Sequence, residues 1–164
     1  MEKILIMNTG GTFNKRYNPL KGELEVPKDG MAVESILRYC PNMQYTLCNL
    51  IHKDSLEMNE EDREELLKAI EASSSHKILI IHGTDTMDVT ASFLALHVKN
   101  KIITLTGAMV PFSIDTVEAT ANVMLALGDL HVRENNGVYI AMHGRVAAHT
   151  QLYKNRTKGV FEPS

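Results

Sequence analysis

The fold class that the sequence predicts is α/β, a mostly parallel sheet with helices on both faces in three αβα layers. Three observations lead there. Short apolar runs alternate with longer helical patterns, three of those runs are nearly continuous in apolar residues, and the unusual polar residues cluster just after the runs. Alternation favours parallel strands joined by helical crossovers. An uninterrupted apolar strand is one covered on both faces.

The elements follow in order. KILIM (3–7) is the first strand, and the glycine-bearing loop NTGGTFNKRYNP comes after it. DGMAVESILRYC (29–40) is a short helical pattern that ends at Pro41. YTLCNLI (45–51) is the second strand. In NEEDREELLKAIEASS (59–74), Asn59 stands as N-cap with Asp62 three residues on, and Leu66, Leu67 and Ile70 form an apolar face. KILIIH (77–82) is the third strand. Met87, Ala91, Leu94, Ala95 and Val98 then fall at offsets 0, 4, 7, 8 and 11, a helical stripe. KIITLTG (101–107) is the fourth strand, Val117, Ala121, Met124 and Leu125 mark the next helix, and GVYIAMH (137–143) is the last strand, followed by a tail.

Composition bounds the rest. A chain of 164 residues is about one domain long, here 1–164, and buries enough surface to need no disulfide or metal staple. A net charge of −3 gives no reason to expect nucleic acid or an anionic membrane as partner. The N-terminal apolar run, Ile4–Met7, is too short for a signal peptide or a membrane span, so a cytoplasmic setting is expected. Cys40 and Cys48 are not in a CxxC arrangement and read as reduced, partly buried thiols.

In an open α/β sheet, ligands sit beyond the carboxyl ends of the strands. That edge is where the polar residues gather: Thr9, Gly10, Gly11 and Thr12 after the first strand, Asp54 and Ser55 after the second, HGTDT after the third, TGAMVPF after the fourth, and Lys154 in the tail. Each taken singly has a plainer reading. Gly10–Gly11 makes a tight turn, Ser55 or Thr86 caps a helix, Asp85 and Asp88 favour a helix N-terminus, and His82 is a hydrogen-bonded core histidine. The coincidence of all of them at one edge is what argues for a site.

Other chemistries lack their residues. No GxGxxG follows the first strand, and no nucleotide-binding GxxxxGK[ST], HExxH or GxSxG is present. His143 and His149 have no carboxylate in helical register, so no metal is expected. A threonine-centred site remains. A threonine hydroxyl needs a base or a strong hydrogen bond to become a nucleophile. A neutral lysine such as Lys154 could act as that base, with Asp85 to orient it or to hold a substrate ammonium. Backbone N–H groups near Gly10–Gly11 and Gly83–Thr84 suit a carboxylate or an oxyanion. The set fits acyl transfer from a small amide that carries both an amine and a carboxylate.

TGGT (9–12), DSLEM (54–58), HGTDTM (82–87) and LTGAM (105–109), in this order, closely resemble the L-asparaginases of the bacterial type I/II class. The resemblance runs from Lys3 to about Thr157 and implies the Rossmann-like or flavodoxin-like N-terminal domain of that family. It assigns Thr12 as the nucleophilic threonine of a first catalytic group and Thr84, Asp85 and Lys154 to a second. Lys154 is found by counting from Gly137. Ser55, with its neighbour Asp54, and the Gly11 and Gly83 backbones match the substrate-binding positions, and Ala108 matches the carbonyl that holds the leaving amide. Tyr17 is the candidate for the lid tyrosine.

The resemblance implies hydrolysis of L-asparagine to L-aspartate and ammonia through a β-aspartyl ester, with no cofactor. The alternatives are a broader asparaginase/glutaminase and a catalytically silent aspartate- or asparagine-binding subunit. Typical members continue into a second domain after the lysine, and a neighbour's second domain helps to enclose the substrate. This chain is expected to be a short-chain, single-domain form without that C-terminal domain. A homo-oligomer, dimer or tetramer, is expected.

Overall fold

The computed structural model describes residues 2–164. Strand β1 (Ile4–Gly10) leads through a 3-10 turn (Thr12–Asn14) into the hairpin β2 (Arg16–Asn18) and β3 (Glu23–Glu25). Then come α1 (Met31–Leu37), β4 (Tyr45–Lys53), a second 3-10 turn (Ser55–Glu57), α2 (Glu60–Ala72), β5 (Lys77–Ile81), α3 (Met87–His97), β6 (Ile102–Thr106) and α4 (Thr116–Val132). The chain ends with β7 (Gly137–Met142), β8 (Arg145–Ala148), β9 (Leu152–Asn155) and β10 (Val160–Pro163).

Six strands form the main sheet in the order β4-β1-β5-β6-β7-β8. The first five are parallel, and β8 pairs antiparallel with β7 along the edge. From β1 the chain crosses first to one neighbour, β4, and then back to the other, β5. That reversal is a topological switch point, where such sheets leave a crevice at the carboxyl ends of the strands. Thr9 stitches the two strands together at this point, its hydroxyl donating to the Ile81 carbonyl at 2.7 Å.

Alternation along the strands divides the core in two. Leu5, Met7, Ile78 and Ile80 face α2 and α3, where Leu66, Ile70, Ala91 and Leu94 are buried. Ile4, Ile6, Leu79 and Ile81 face α1 and α4, where Val33, Ile36, Val123 and Leu127 are buried. The expected αβα layers are therefore present, with helices on both faces. Each fully buried leucine or isoleucine contributes about 1.5–3 kcal/mol.

Local chemistry explains the element ends. Asn59 caps α2 in a reciprocal capping box, accepting from the Asp62 N–H while Asp62 accepts from the Asn59 N–H, both at 3.0 Å. Asp115 caps α4 by accepting from the Val117 N–H. Thr86 precedes α3, but its hydroxyl does not cap that helix; it bonds to the Ser55 carbonyl instead. Ser55 likewise caps nothing, since its oxygen accepts from the Thr86 N–H.

Two stretches depart from the expected loop and tail. The loop after the first strand contains the hairpin β2–β3, held by the Arg16–Asp29 and Lys21–Glu25 ion pairs. The tail is three strands. β7 turns into β8 through His143 and Gly144, whose φ of 53° and 82° are those of a two-residue hairpin turn. β9 and β10 then form a second hairpin whose Leu152 and Phe161 join the core on the α2/α3 face. That hairpin carries Lys154.

Candidate active site

The loops after β1, β4 and β5 meet without large side chains between them. Gly11 has φ of 75°, and a Cβ there would lie 2.5 Å from the Gly83 Cα. A Cβ on Gly83 would in turn lie 2.6 Å from the Ser55 Cβ. Only glycine admits both approaches and the positive φ. These contacts place Thr12, Ser55 and Thr84 on neighbouring loops at the switch point.

The Gly11 N–H is spent on the Lys53 carbonyl at 2.9 Å, and the Gly10 N–H reaches Asn8 Oδ1 at 3.3 Å. The first loop therefore packs rather than presenting these two donors to an anion. Thr12 is half-buried at the start of its 3-10 turn. That turn is braced from the β6–α4 loop, where the Phe112 N–H donates to the Phe13 carbonyl and the Ser113 hydroxyl to the Lys15 carbonyl.

Beneath Thr84 lies a buried polar chain. His82 is fully enclosed, with Nδ1 2.7 Å from the Gly83 carbonyl and Nε2 2.7 Å from the Thr90 hydroxyl. Nδ1 must be the donor to the carbonyl, so Nε2 accepts from Thr90. Thr90 accepts in turn from Arg63 Nε, and Arg63 also donates to the Thr86 hydroxyl. Burial pushes the His82 pKa down to about 4 against a raising hydrogen bond to Gly83, so the ring is neutral. It serves as a strut for the loop.

Facing Thr84 is the β9–β10 hairpin. Lys154 Nζ donates to the Thr84 hydroxyl at 2.8 Å and to Asp85 Oδ1 at 2.7 Å. Its side chain is only 13% exposed, which marks a built contact rather than a loose surface pair. The Thr84 hydroxyl is 3.5 Å from Met109 Sδ, a weak acceptor for its proton. Arg156, in the turn after β9, donates to Asp85 Oδ1 at 3.1 Å and to the Asp85 carbonyl at 2.8 Å. A cavity of about 190 Å³ opens beside this cluster, between Asp85 and the underside of the hairpin.

Asp54 caps the turn that begins at Ser55 and pairs with Lys15 at 2.8 Å. Burial pushes its carboxyl up, but hydrogen bonds from Lys15 and the Leu56 N–H, with the charges of Lys15 and Lys154, hold it below the ordinary carboxylate range. Ser55 is buried; its oxygen accepts from the Thr86 N–H, so its own proton is left to donate. Ala108 is buried in the β6–α4 loop. Either side of it is anchored: Asn122 donates to the Gly107 carbonyl, and the Met109 and Val110 N–H groups donate to the Glu118 carboxylate.

The geometry joins Thr84, Asp85 and Lys154 directly and brings the loops of Thr12, Ser55 and Ala108 to the same edge. Tyr17 stays apart. It is 62% exposed on β2, and its hydroxyl lies 4.0 Å from where a Gly22 Cβ would sit, along its own hairpin.

The family signature described as "Asparaginase, N-terminal" matches residues 3–161. This chain belongs to the asparaginase family. It is 30% identical to the probable periplasmic L-asparaginase of Haemophilus influenzae, over 98% of this chain and 48% of that one. It is 28% identical to one of the glutamyl-tRNA(Gln) amidotransferase subunits of Methanococcus maripaludis, over 88% of this chain and 35% of that one. The thermostable L-asparaginase from Thermococcus kodakarensis superimposes with a TM-score of 0.82 at 24% identity, over 98% of this chain and 51% of that one. The chain thus spans about half the length of the relatives named L-asparaginase. Within this asparaginase-family domain, no helix among the described residues is long and apolar enough to cross a membrane, and no His/Cys/Asp/Glu group there has the makings of a metal site.

Three polar residues escaped the sequence reading: Arg156, Glu118 and His143, the last two as a pair. His143 Nε2 lies 2.7 Å from Glu118, while its Nδ1 accepts from the Phe161 N–H of β10 at 3.1 Å. Glu118 thus links the Ala108 loop to the hairpin that carries Lys154. The two residues are 25 apart in sequence, on α4 and on the β7–β8 turn, a spacing that no local motif encodes.

Proposed function

We propose that this domain hydrolyses the side-chain amide of L-asparagine to L-aspartate and ammonia. The observation that carries the reading is Lys154 within hydrogen-bond reach of both Thr84 and Asp85, although almost 70 residues of chain separate them. In the proposed reaction a threonine oxygen, that of Thr12 in the first instance, adds to the amide carbon. The hydroxyl proton passes to a base, ammonia leaves carrying a proton, and a β-aspartyl ester forms. Water then adds to the ester, and aspartate departs as the threonine regains its proton.

Each role follows from position. Lys154 in its neutral form is the base that acts through the Thr84 hydroxyl. Ser55 donates its free proton to the α-carboxylate, and the open face of Asp85 receives the α-ammonium. The Ala108 carbonyl accepts from the leaving amide. No metal or organic cofactor enters any step.

A broader amidase reading, in which glutamine is also a substrate, is favoured by the similarity to the glutaminase-asparaginase of Acinetobacter glutaminasificans, 27% identical over 96% of this chain and 50% of that one. Ammonia release from asparagine and from glutamine separates the two. Thr12→Ala, Thr84→Ala and Lys154→Met should each lower turnover by about 100-fold or more, the scale of a lost acid–base or nucleophilic group. No ammonia from either amide, with aspartate bound tightly in calorimetry, would sink the hydrolase and leave a binding subunit. Unchanged turnover in Lys154→Met would remove the lysine from the chemistry. The proposal extends to a homo-oligomer, supported by apolar side chains exposed on the α1/α4 side, Tyr39, Ile114 and Val117. Sedimentation that returns only monomer would reject it.

A further inference from the structure

Asp85 already accepts from two basic side chains before any ligand arrives, and the two are not alike. Lys154 is 13% exposed and divides its hydrogen bonds between Asp85 and Thr84. Arg156 is 60% exposed, and both of its hydrogen bonds end on Asp85, one on Oδ1 and one on the main-chain carbonyl. The turn that presents it is preset. Asn155 Oδ1 accepts from the Thr157 and Lys158 N–H groups, and the Gly159 N–H closes on the Asn155 carbonyl. The guanidinium is therefore held over the carboxylate by the backbone of a closed turn rather than by packing of its own.

We propose that Arg156 is a specificity-determining residue: an internal counter-ion that competes with a ligand's α-ammonium for Asp85. This rests on the reading above that Asp85 receives that ammonium. An ammonium arriving at the same carboxylate must either displace one of these donors or tolerate the repulsion of the guanidinium. Lys154 is the less exposed of the two and is tied to Thr84, so Arg156 is the one that yields. Its charge weighs against ligands with an α-ammonium and leaves ligands without one untouched at that point. An anionic end of the ligand, by contrast, meets no penalty from the guanidinium.

The test compares wild type with Arg156→Gln by calorimetry, using L-aspartate and succinate, which differ only in the ammonium. Calorimetry does not require turnover, so a failure of the hydrolase reading leaves this measurement readable. In Arg156→Gln the ratio of aspartate affinity to succinate affinity should rise by about 2–5-fold, the scale of an exposed ion pair. The rise should shrink in roughly 0.5 M salt, as screening shortens the reach of an exposed charge. An unchanged or lower ratio overturns the inference alone. If neither ligand binds either protein, the ammonium site at Asp85 and this inference fall together. A general loosening of the hairpin would move both affinities in parallel and leave the ratio where it was, which also counts against the proposal.

Discussion

Where the loops after β1, β4 and β5 meet, nothing larger than a serine separates them: Gly11 lies on Gly83, and Gly83 on Ser55. Across the site, the β9–β10 hairpin reaches Thr84 through a lysine, Asp85 through that lysine and an arginine, and the Ala108 loop through a His143–Glu118 brace. The first side is set by steric exclusion and backbone hydrogen bonds, so it has one arrangement. The second is set by charges and long side chains over an apolar anchor, Leu152 and Phe161. Steric seams fail abruptly when altered, because a close-packed interior has no slack. Polar bridges fail by degrees, each losing the worth of its own bonds. Substitutions on the two sides should therefore differ in kind as well as in size.

Gly11→Ala is expected to have the largest effect. The new Cβ meets the Gly83 backbone, and the residue must hold a φ of 75° that alanine resists. Overpacking and backbone strain together should cost about 3 kcal/mol or more. Urea unfolding would show it as a lower midpoint, with ammonia release lost alongside. A midpoint like wild type's would mean the seam has slack after all.

The strut below the seam has its own signature in pH. The folded-state pKa of His82 lies at about 4, below its ordinary value of 6.5. The unfolded chain therefore takes up a proton at this residue over a range where the folded chain does not. The stability it sustains is complete above pH 6.5 and declines as pH falls through that range to about 4. The decline should amount to about 3 kcal/mol at roughly 1.36 kcal/mol per unit. Urea titrations at several pH values measure it, and His82→Gln should flatten the slope there. Losses from Asp54 and Asp62, whose carboxyls are held below their usual range, belong to lower pH. A slope that persists in His82→Gln would mean that another group carries it.

Across the site the expected effects are smaller. Glu118 accepts from two backbone N–H groups and from His143, and is about four-fifths buried. Glu118→Gln keeps the shape but weakens three charge-assisted bonds, which should cost about 1–2 kcal/mol. It touches both the Ala108 loop and the Lys154 hairpin, so turnover should fall while the Gly11–Gly83 seam is intact. Aspartate affinity and turnover measured together check this. A stability loss with turnover unchanged would make the brace purely structural.

What was legible in the sequence divides along the same line. The glycines are legible as turns at the polar edge, but the contact of Gly11 with Gly83 is not, since nothing in the sequence pairs two loops so far apart in the chain. Thr84 and Asp85 are legible at the same edge. Lys154 follows from the resemblance, but in the sequence its hairpin looks like a tail. β8, β9 and β10 are four residues each and lack a sustained alternation, and His143–Gly144 is a hairpin turn without the usual Asn-Gly or Asp-Gly signal. His143 has no carboxylate nearby in helical register; its partner, Glu118, comes from another element. Arg156 gave no signal at all, since an exposed arginine two residues past a lysine is ordinary until the turn closes. Tyr17 follows only from its place in the loop after the first strand, and that loop folds as a hairpin on which it is exposed.

The smallest effect tests what anchors the hairpin. Lys158 and Glu162 form an ion pair at its tip at 2.7 Å, with the lysine side chain 64% exposed. If Leu152 and Phe161 anchor β9–β10 through the core, water and salt replace this pair with little consequence. Lys158→Ala should then leave the urea midpoint and the turnover where they were, while Phe161→Ala should lower both, costing about 3–5 kcal/mol for a buried phenylalanine at most and less for one at the rim of the core. A measurable loss in Lys158→Ala would show that the hairpin is held by its charges as well as steered by them, and the contrast between the two sides of the site would sharpen.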